Sequence, residues 1–430
     1  MSDADARPVY IVDGARTPFL RARGRPGPFS PVDLAVQCGR PLLLRQPFDP
    51  ETVDLVILGC VNVVEDEMNP ARVAALRLGM GEATVAFTEQ INCGSGMLTV
   101  DTGARRIREG SADLVLAGGT DALSHAPLLL RDEAVEWLAD IRGADGVTDR
   151  LHRLAELRPG FLKPVIGLER GLTDPVSGLN MGQTAEILAH RFGVSRDAAD
   201  AYALESHRRL AAAEDEDRLG EIEPAFDRDG GVHDHDDGLR RDTDRDKLAA
   251  LDPVFEKPWG QVTPGNASQV TDGACWLLLA SEEAAERHGL EPIAEIRGAE
   301  WAALHPSVMG LGPTLAATPL LTRRGLGAGD VDLWEINEAF AAQVLACLAA
   351  WEDEDYGRDV LGLDGAFGRI PRERLNVDGG AIALGHPVGT SGARIVLHLA
   401  HEMRRRGERR GVATECIGGG QGGAMLLEAT

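Results

Sequence analysis

The sequence predicts an α/β protein made of two similar halves, and three observations carry that expectation. Over residues 1–123 short β-branched runs alternate with helical runs. From 124 to 250 charged and turn-forming residues take over. After 250 the alternation returns, and its segments echo the first set in the same order.

In the first half VYIVDGA (9–15), DLVILGCV (54–61) and VAFTEQI (85–91) read as strands. ARVAALRLG (71–79) reads as a helix closed by glycine. VAFTEQI runs into NCGSGM (92–97), a helical stretch follows, and DLVLAGG (113–119) completes a strand–helix–strand unit. The middle region reads as an insertion, with DRDGGVHDHDDG (227–238) as a surface loop. MGQTAEILAHRFG and the run that follows it supply helices inside this insertion. In the second half VDLWEINEAF (331–340) echoes VDLVILGCVN (53–62). GHPVGTSGARIVLHLAHEMRRRG (385–407) echoes CGSGM and its helix, and VATECIGGGQGGAMLLE closes like DLVLAGG. Two such halves bring the polar segments to corresponding strand ends facing one cleft.

At 430 residues the chain is too long for one ordinary core. Apolar residues make up 43% and charged residues 26%, as in a soluble globular protein. No apolar run approaches the roughly 18 residues that cross a bilayer. The first residues, MSDADARPVYIVDG, have no leader pattern, so the cytoplasm is expected. The six cysteines form no C-x-x-C pair, and neither a metal site nor a disulfide framework is expected. A formal charge of −24 opposes nucleic acid and anionic membranes as partners.

Four segments carry chemistry. Cys93 sits where a strand meets a helix, with Gly94 and Gly96 suited to a tight turn. A helix N-terminus there favours the thiolate; a buried structural cysteine is the plainer reading. His386 lies in G-H-P-V-G-T-S-G-A-R (385–394), held by glycines and proline as a general base must be, or merely in a capping turn. Cys416 opens C-I-G-G-G-Q-G-G (416–423), a run too rich in glycine for a packed strand interior. Its backbone N–H groups suit an oxyanion, or another segment approaching closely. Asn337 and Glu338 of N-E-A-F (337–340) interrupt an apolar run and demand partners or a role, with helix capping by Asn337 as the alternative.

Together these blocks resemble the thiolase family, in the family's order: NCGSGM at 92–97, NEAF at 337–340, GHP at 385–387 and CxGG at 416–419. TPGNASQVTDGA (263–274) resembles the family's pantetheine-contacting segment, and MGQTAE (181–186) the start of its loop-domain helices. The resemblance runs from residue 9 to the C-terminus. It implies a thiolase-like five-layer αβαβα fold of two similar halves with an inserted loop domain that binds coenzyme A. The expected divisions are 1–123, a loop domain over 124–250, the remainder of the first half over 251–290, and 291–430.

The resemblance also implies roles. Cys93 is the acyl-accepting nucleophile and His386 its base. His386 and a water held by Asn337 form one oxyanion hole; the N–H groups of Cys93 and Gly418 form the other. Cys416 is the second acid/base, Ser268 lies near the pantetheine, and Arg240, with Arg241 almost as well placed, contacts the nucleotide. No tightly bound cofactor is implied; coenzyme A and acyl-CoA are substrates. The implied assembly is a homodimer or homotetramer, with room for a hydratase/dehydrogenase subunit. The implied reaction is thiolytic cleavage of 3-ketoacyl-CoA in fatty-acid β-oxidation. A biosynthetic acetoacetyl-CoA thiolase is the alternative, ahead of a ketosynthase-like enzyme or a silent scaffold. One departure stands out: 233–247 is very acidic for a site beside a polyanion, unless Arg153, Arg158, Lys163 and Arg170 offset it.

Overall fold

The computed structural model describes residues 7–430. One mixed sheet runs through the molecule and divides into two sets of strands. The first set follows the order Val85–Glu89, Leu55–Gly59, Leu114–Ala122, Thr271–Ser281, Val9–Arg16. The second follows Ala294–Ala303, Gln421–Glu428, Arg410–Ile417, Leu333–Ile336. Two residue pairs join them, Tyr10 with Glu295 and Ile11 with Ala294.

The two sets repeat one pattern. Leu55–Gly59 is parallel to both neighbours, and the next two pairings are antiparallel. Leu333–Ile336 is parallel to Arg410–Ile417 and bridges in parallel to Leu375, and the next two pairings are again antiparallel. The echoes of 331–340 with 53–62 and of 385–407 with the cysteine block therefore mark equivalent elements. Leu55–Gly59 and Thr271–Ser281 are buried at every position.

The helices Ser95–Arg108 and Ser391–Arg406 lie between the two sets, and one core joins Met97 and Val100 to Ala393, Val396, Leu277 and Met425. Outside the first set Pro31–Leu44 and Pro70–Arg77 cover the other sheet face. Outside the second, Gly312–Thr322 and Ala341–Glu352 do the same. The result is the five-layer αβαβα order. The central helices cross closely because both lack a side chain at the crossing: a Cβ on Gly96 would lie 2.7 Å from Ala393 N, and one on Gly392 would lie 2.6 Å from Met97 N.

The chain leaves the sheet after Ala122 and returns at Thr271. Between them lie the expected helices Met181–Arg191 and Arg196–Asp215. Asp132–Gly143 and Val147–Ala155 also form there, where charged residues had masked any element in the sequence. The second has no buried residue, so no core face identified it. Among the described residues no helix is long and apolar enough to cross a membrane.

Candidate active site

Cys93 stands at the corner between Val85–Glu89 and Ser95–Arg108, as expected, but the turn is made differently. Gly94 has an ordinary φ of −77°. Asn92 carries the unusual backbone, at φ 51°, a left-handed conformation that Asn tolerates better than most residues. Its Nδ2 donates to Gly418 O at 2.8 Å, tying the corner to the glycine hairpin. Gly94 serves close approach instead: a Cβ there would lie 2.5 Å from Ile417 Cδ1.

The helix N-terminus that favours a thiolate at Cys93 is opposed by burial. The Cys93 side chain remains partly accessible, yet burial pushes its thiol up to about 12, and Glu415 adds to the shift. The backbone N–H groups of Gly418 and of Cys93 itself pull the other way. Desolvation is the largest of these causes. Glu415 is buried with both carboxyl oxygens unpartnered among the described residues, and burial raises its pKa well above the carboxylate range.

His386 follows Gly385, whose φ of 114° and contact with Thr271 exclude a side chain. Its ring is buried. Ser391 Oγ donates to Pro387 O at 3.2 Å and sits 2.6 Å from His386 Nδ1. With that donor committed, Nδ1–H donates to the serine and Nε2 carries the free lone pair. Nε2 has no partner among the described residues. Burial, then the charge of Arg394, lowers the pKa to about 4, so the ring is neutral at physiological pH.

Cys416 is the penultimate residue of Arg410–Ile417, and Gly418–Gly420 turn into Gln421–Glu428. The glycine run is therefore partly strand interior after all. Gly422 and Gly423 lie in the strand because Gly312 and Trp301 press against them. Cys416 packs with Met309 and Ala339, and its pKa is raised well above the thiol range by burial, then by Cys93.

Asn337 is not a helix cap: Phe340 holds that position in Ala341–Glu352. The Asn337 side chain is fully buried, and neither Oδ1 nor Nδ2 finds a partner among the described residues. A buried amide with both ends open is costly unless something occupies the gap. The segment around Ser268 links two blocks, since Ser268 N donates to Ala339 O at 2.9 Å and His386 N donates to Gln269 O at 2.9 Å.

The arginines separate. Arg241 is paired to Glu214 at 2.8 Å and Asp215 at 2.9 Å. Arg240 has no ion pair among the described residues, and burial, then Arg21, lowers its pKa. The acidic stretch beside it is largely occupied: Asp236 grips buried Arg16 at 2.8 Å, Asp237 pairs with Arg23 at 2.9 Å, and Asp242 pairs with Lys247 at 2.9 Å. Arg153 pairs locally with Asp149 and Glu156, while Arg158, Lys163 and Arg170 are exposed, so that cluster is solvated surface.

Sequence reading missed Asn92, Ser391, Glu415 and Asp121. Asp121 is buried in Leu114–Ala122, where it accepts from Val61 N, Asn62 N and Gly389 N. It thereby ties the first half to the GHPVG turn, and burial raises its pKa to about 6. An isolated acid in an apolar strand was the only signal for it.

Residues 9–283 match the thiolase N-terminal domain and residues 290–429 match the thiolase C-terminal domain. The chain belongs to the thiolase family. Mitochondrial 3-ketoacyl-CoA thiolase of Homo sapiens is 38% identical over 99% of both chains. Acetyl-CoA acetyltransferase of Chromobacterium violaceum is 37% identical over 98% of this chain and 99% of that one. Trifunctional enzyme subunit beta of Bos taurus is 34% identical over all of this chain and 90% of its own. A crystal structure of human mitochondrial 3-ketoacyl-CoA thiolase in complex with CoA superposes with a TM-score of 0.84 at 37% identity, covering 99% of this chain and 98% of that one. This thiolase is thus an acyltransferase, and its relatives carry both 3-ketoacyl-CoA thiolase and acetyl-CoA acetyltransferase names.

Proposed function

We propose that this thiolase cleaves 3-ketoacyl-CoA with coenzyme A in fatty-acid β-oxidation, through an acyl-Cys93 intermediate. The observation that supports it is that His386 Nε2 and both ends of Asn337 stay buried and unpartnered among the described residues, with Cys93 partly accessible at a corner that Asn92 ties to Gly418.

His386 Nε2 takes the Cys93 proton as the sulfur attacks the 3-keto carbon. Cys93 N–H and Gly418 N–H hold the resulting alkoxide. Collapse breaks the C2–C3 bond, leaving the acyl group on Cys93 and an enolate on the departing acetyl-CoA. Protonated His386 and a water on Asn337 hold the enolate oxygen, and Cys416 gives its proton to C2. The Cys416 thiolate then deprotonates an incoming coenzyme A thiol, whose sulfur attacks the acyl-Cys93 thioester. The second tetrahedral intermediate forms in the Cys93–Gly418 hole. Its collapse releases acyl-CoA, and His386 returns the proton to Cys93. With Cys93 near 12 and His386 near 4, the resting pair is neutral, so proton transfer accompanies attack.

Ser268 is proposed beside the pantetheine and Arg240 beside the nucleotide phosphates, Arg241 being already engaged. A homodimer or homotetramer in the cytoplasm with a hydratase/dehydrogenase partner completes the reading, the last supported by the trifunctional relative.

The test is coenzyme A-dependent cleavage of 3-ketoacyl-CoA over chain lengths C4 to C16. Cleavage beyond C4 is expected. Turnover confined to acetoacetyl-CoA would replace this reading with the biosynthetic one, which the acetyl-CoA acetyltransferase relative supports.

A further inference from the structure

Asn337 and Glu338 are neighbours, both buried, and opposite in their bonding. Asn337 has no side-chain partner among the described residues, whereas Glu338 has four. Its Oε1 accepts from Tyr202 Oη at 3.0 Å and Asn376 Nδ2 at 2.9 Å. Its Oε2 accepts from Ser206 Oγ at 2.7 Å and Ile382 N at 3.2 Å. All four acceptor positions of a carboxylate are thereby filled.

The donors come from three places. Tyr202 and Ser206 belong to Arg196–Asp215 of the insertion. Asn376 belongs to the second half, with its own left-handed φ of 45°. Ile382 lies in the short helix Ala381–Leu384, directly before Gly385 and His386. Gly380 N also donates to Ser206 Oγ at 3.1 Å, and a Cβ on Gly380 would lie 2.5 Å from Glu338 Cδ.

We propose that Glu338 is a positioning residue, a four-donor clamp that fixes the adjacent Asn337 and its water site against the insertion helix Arg196–Asp215. Carbon–carbon cleavage, whose enolate oxygen uses the Asn337 site, then depends on the clamp more steeply than acyl transfer, which uses the Cys93 and Gly418 N–H groups. The inference rests on the proposed role of Asn337.

Glu338→Gln tests it because the isostere cannot satisfy the clamp. The two hydroxyl donors can rotate, but Ile382 N–H cannot. Asn376 cannot flip either, since its Nδ2 also donates to Ile336 O at 2.9 Å and its Oδ1 accepts from Ile336 N at 2.8 Å. These two fixed donors address different oxygens, so the glutamine NH₂ meets one of them in either orientation.

Two rates are measured on the full chain: thiolysis of 3-ketoacyl-CoA, and acyl transfer between short acyl-CoA and Cys93 followed by mass. E338Q should lower thiolysis roughly tenfold or more, approaching the ~100-fold expected of N337A, an oxyanion-site loss. Acyl transfer should stay within about threefold of wild type. Tyr202→Phe and Ser206→Ala should show the same split more mildly, and S206A with E338Q should combine less than additively. If E338Q does not fold, those two variants carry the test.

Equal losses in both rates, or no loss in thiolysis, would overturn the clamp. If N337A slows thiolysis and the clamp variants do not, the clamp alone falls. If N337A leaves thiolysis intact, the oxyanion reading falls and takes the clamp with it.

Discussion

The same short motif opens both central helices, Ser95-Gly96 in the first half and Ser391-Gly392 in the second, and the two copies do different work. The glycines are equivalent in use: each lets the other helix cross. The serines have diverged. Ser95 Oγ accepts from Ile91 N at 2.9 Å and donates to Asn92 O at 2.6 Å, shaping the turn that presents Cys93. Ser391 Oγ instead reaches the His386 ring and orients the base. A repeated scaffold has kept its packing contacts and divided its chemistry, a nucleophile at one corner and a proton acceptor at the other.

The sharpest break is between the cysteines. Cys93→Ala should abolish both turnover and the acyl adduct formed from a short acyl-CoA. Cys416→Ala should still acquire the adduct on the NCGSGM peptide and then stall, because the acid/base is gone. Peptide mass mapping that finds the acyl group on Cys416 would reverse the assignment.

The state of the first corner can be titrated. With the thiol near 12, the thiolate fraction below that pH grows about tenfold per pH unit. Alkylation of Cys93 by iodoacetamide should therefore accelerate roughly 100-fold from pH 7 to pH 9. A rate already level by pH 7 would mean that the corner rests as a thiolate–imidazolium pair.

The serines should separate by function. Ser391→Ala frees the His386 ring and should cost roughly tenfold in turnover, part of the 10²–10⁴ that a positioned base supplies. Ser95→Ala removes turn hydrogen bonds and should cost about 1 kcal/mol of stability first, read by denaturant melts. Equal turnover losses would show that both serines only shape turns.

The last comparison, which leaves the chemistry untouched, tests what the corners still share. Gly96→Ala and Gly392→Ala each force a methyl into the helix crossing and should destabilise by about 1–3 kcal/mol. A loss in only one of them, measured as a shift in melting midpoint, would mean that the crossing is less symmetric than its contacts.

The sequence by itself determined the alternation of strands and helices around the reactive blocks, the two-half repeat, and the four blocks carrying Cys93, His386, Cys416 and Asn337. These were legible because their signals are local: β-branched runs, glycines flanking a reactive side chain, a polar pair inside an apolar run. Tertiary structure decided what depends on distant partners. It set the protonation of Cys93 and His386, because desolvation is summed over the whole surrounding protein rather than over sequence neighbours. It placed Asn92 in the left-handed conformation by tying it to Gly418, 326 residues away. It matched Arg16 to Asp236, 220 residues apart, which removed the apparent excess of acid from the insertion. It also made one of two adjacent buried residues saturated and the other open among the described residues, because hydrogen bonding at Glu338 and Asn337 depends on which donors the fold brings within reach, and their sequence positions do not encode that.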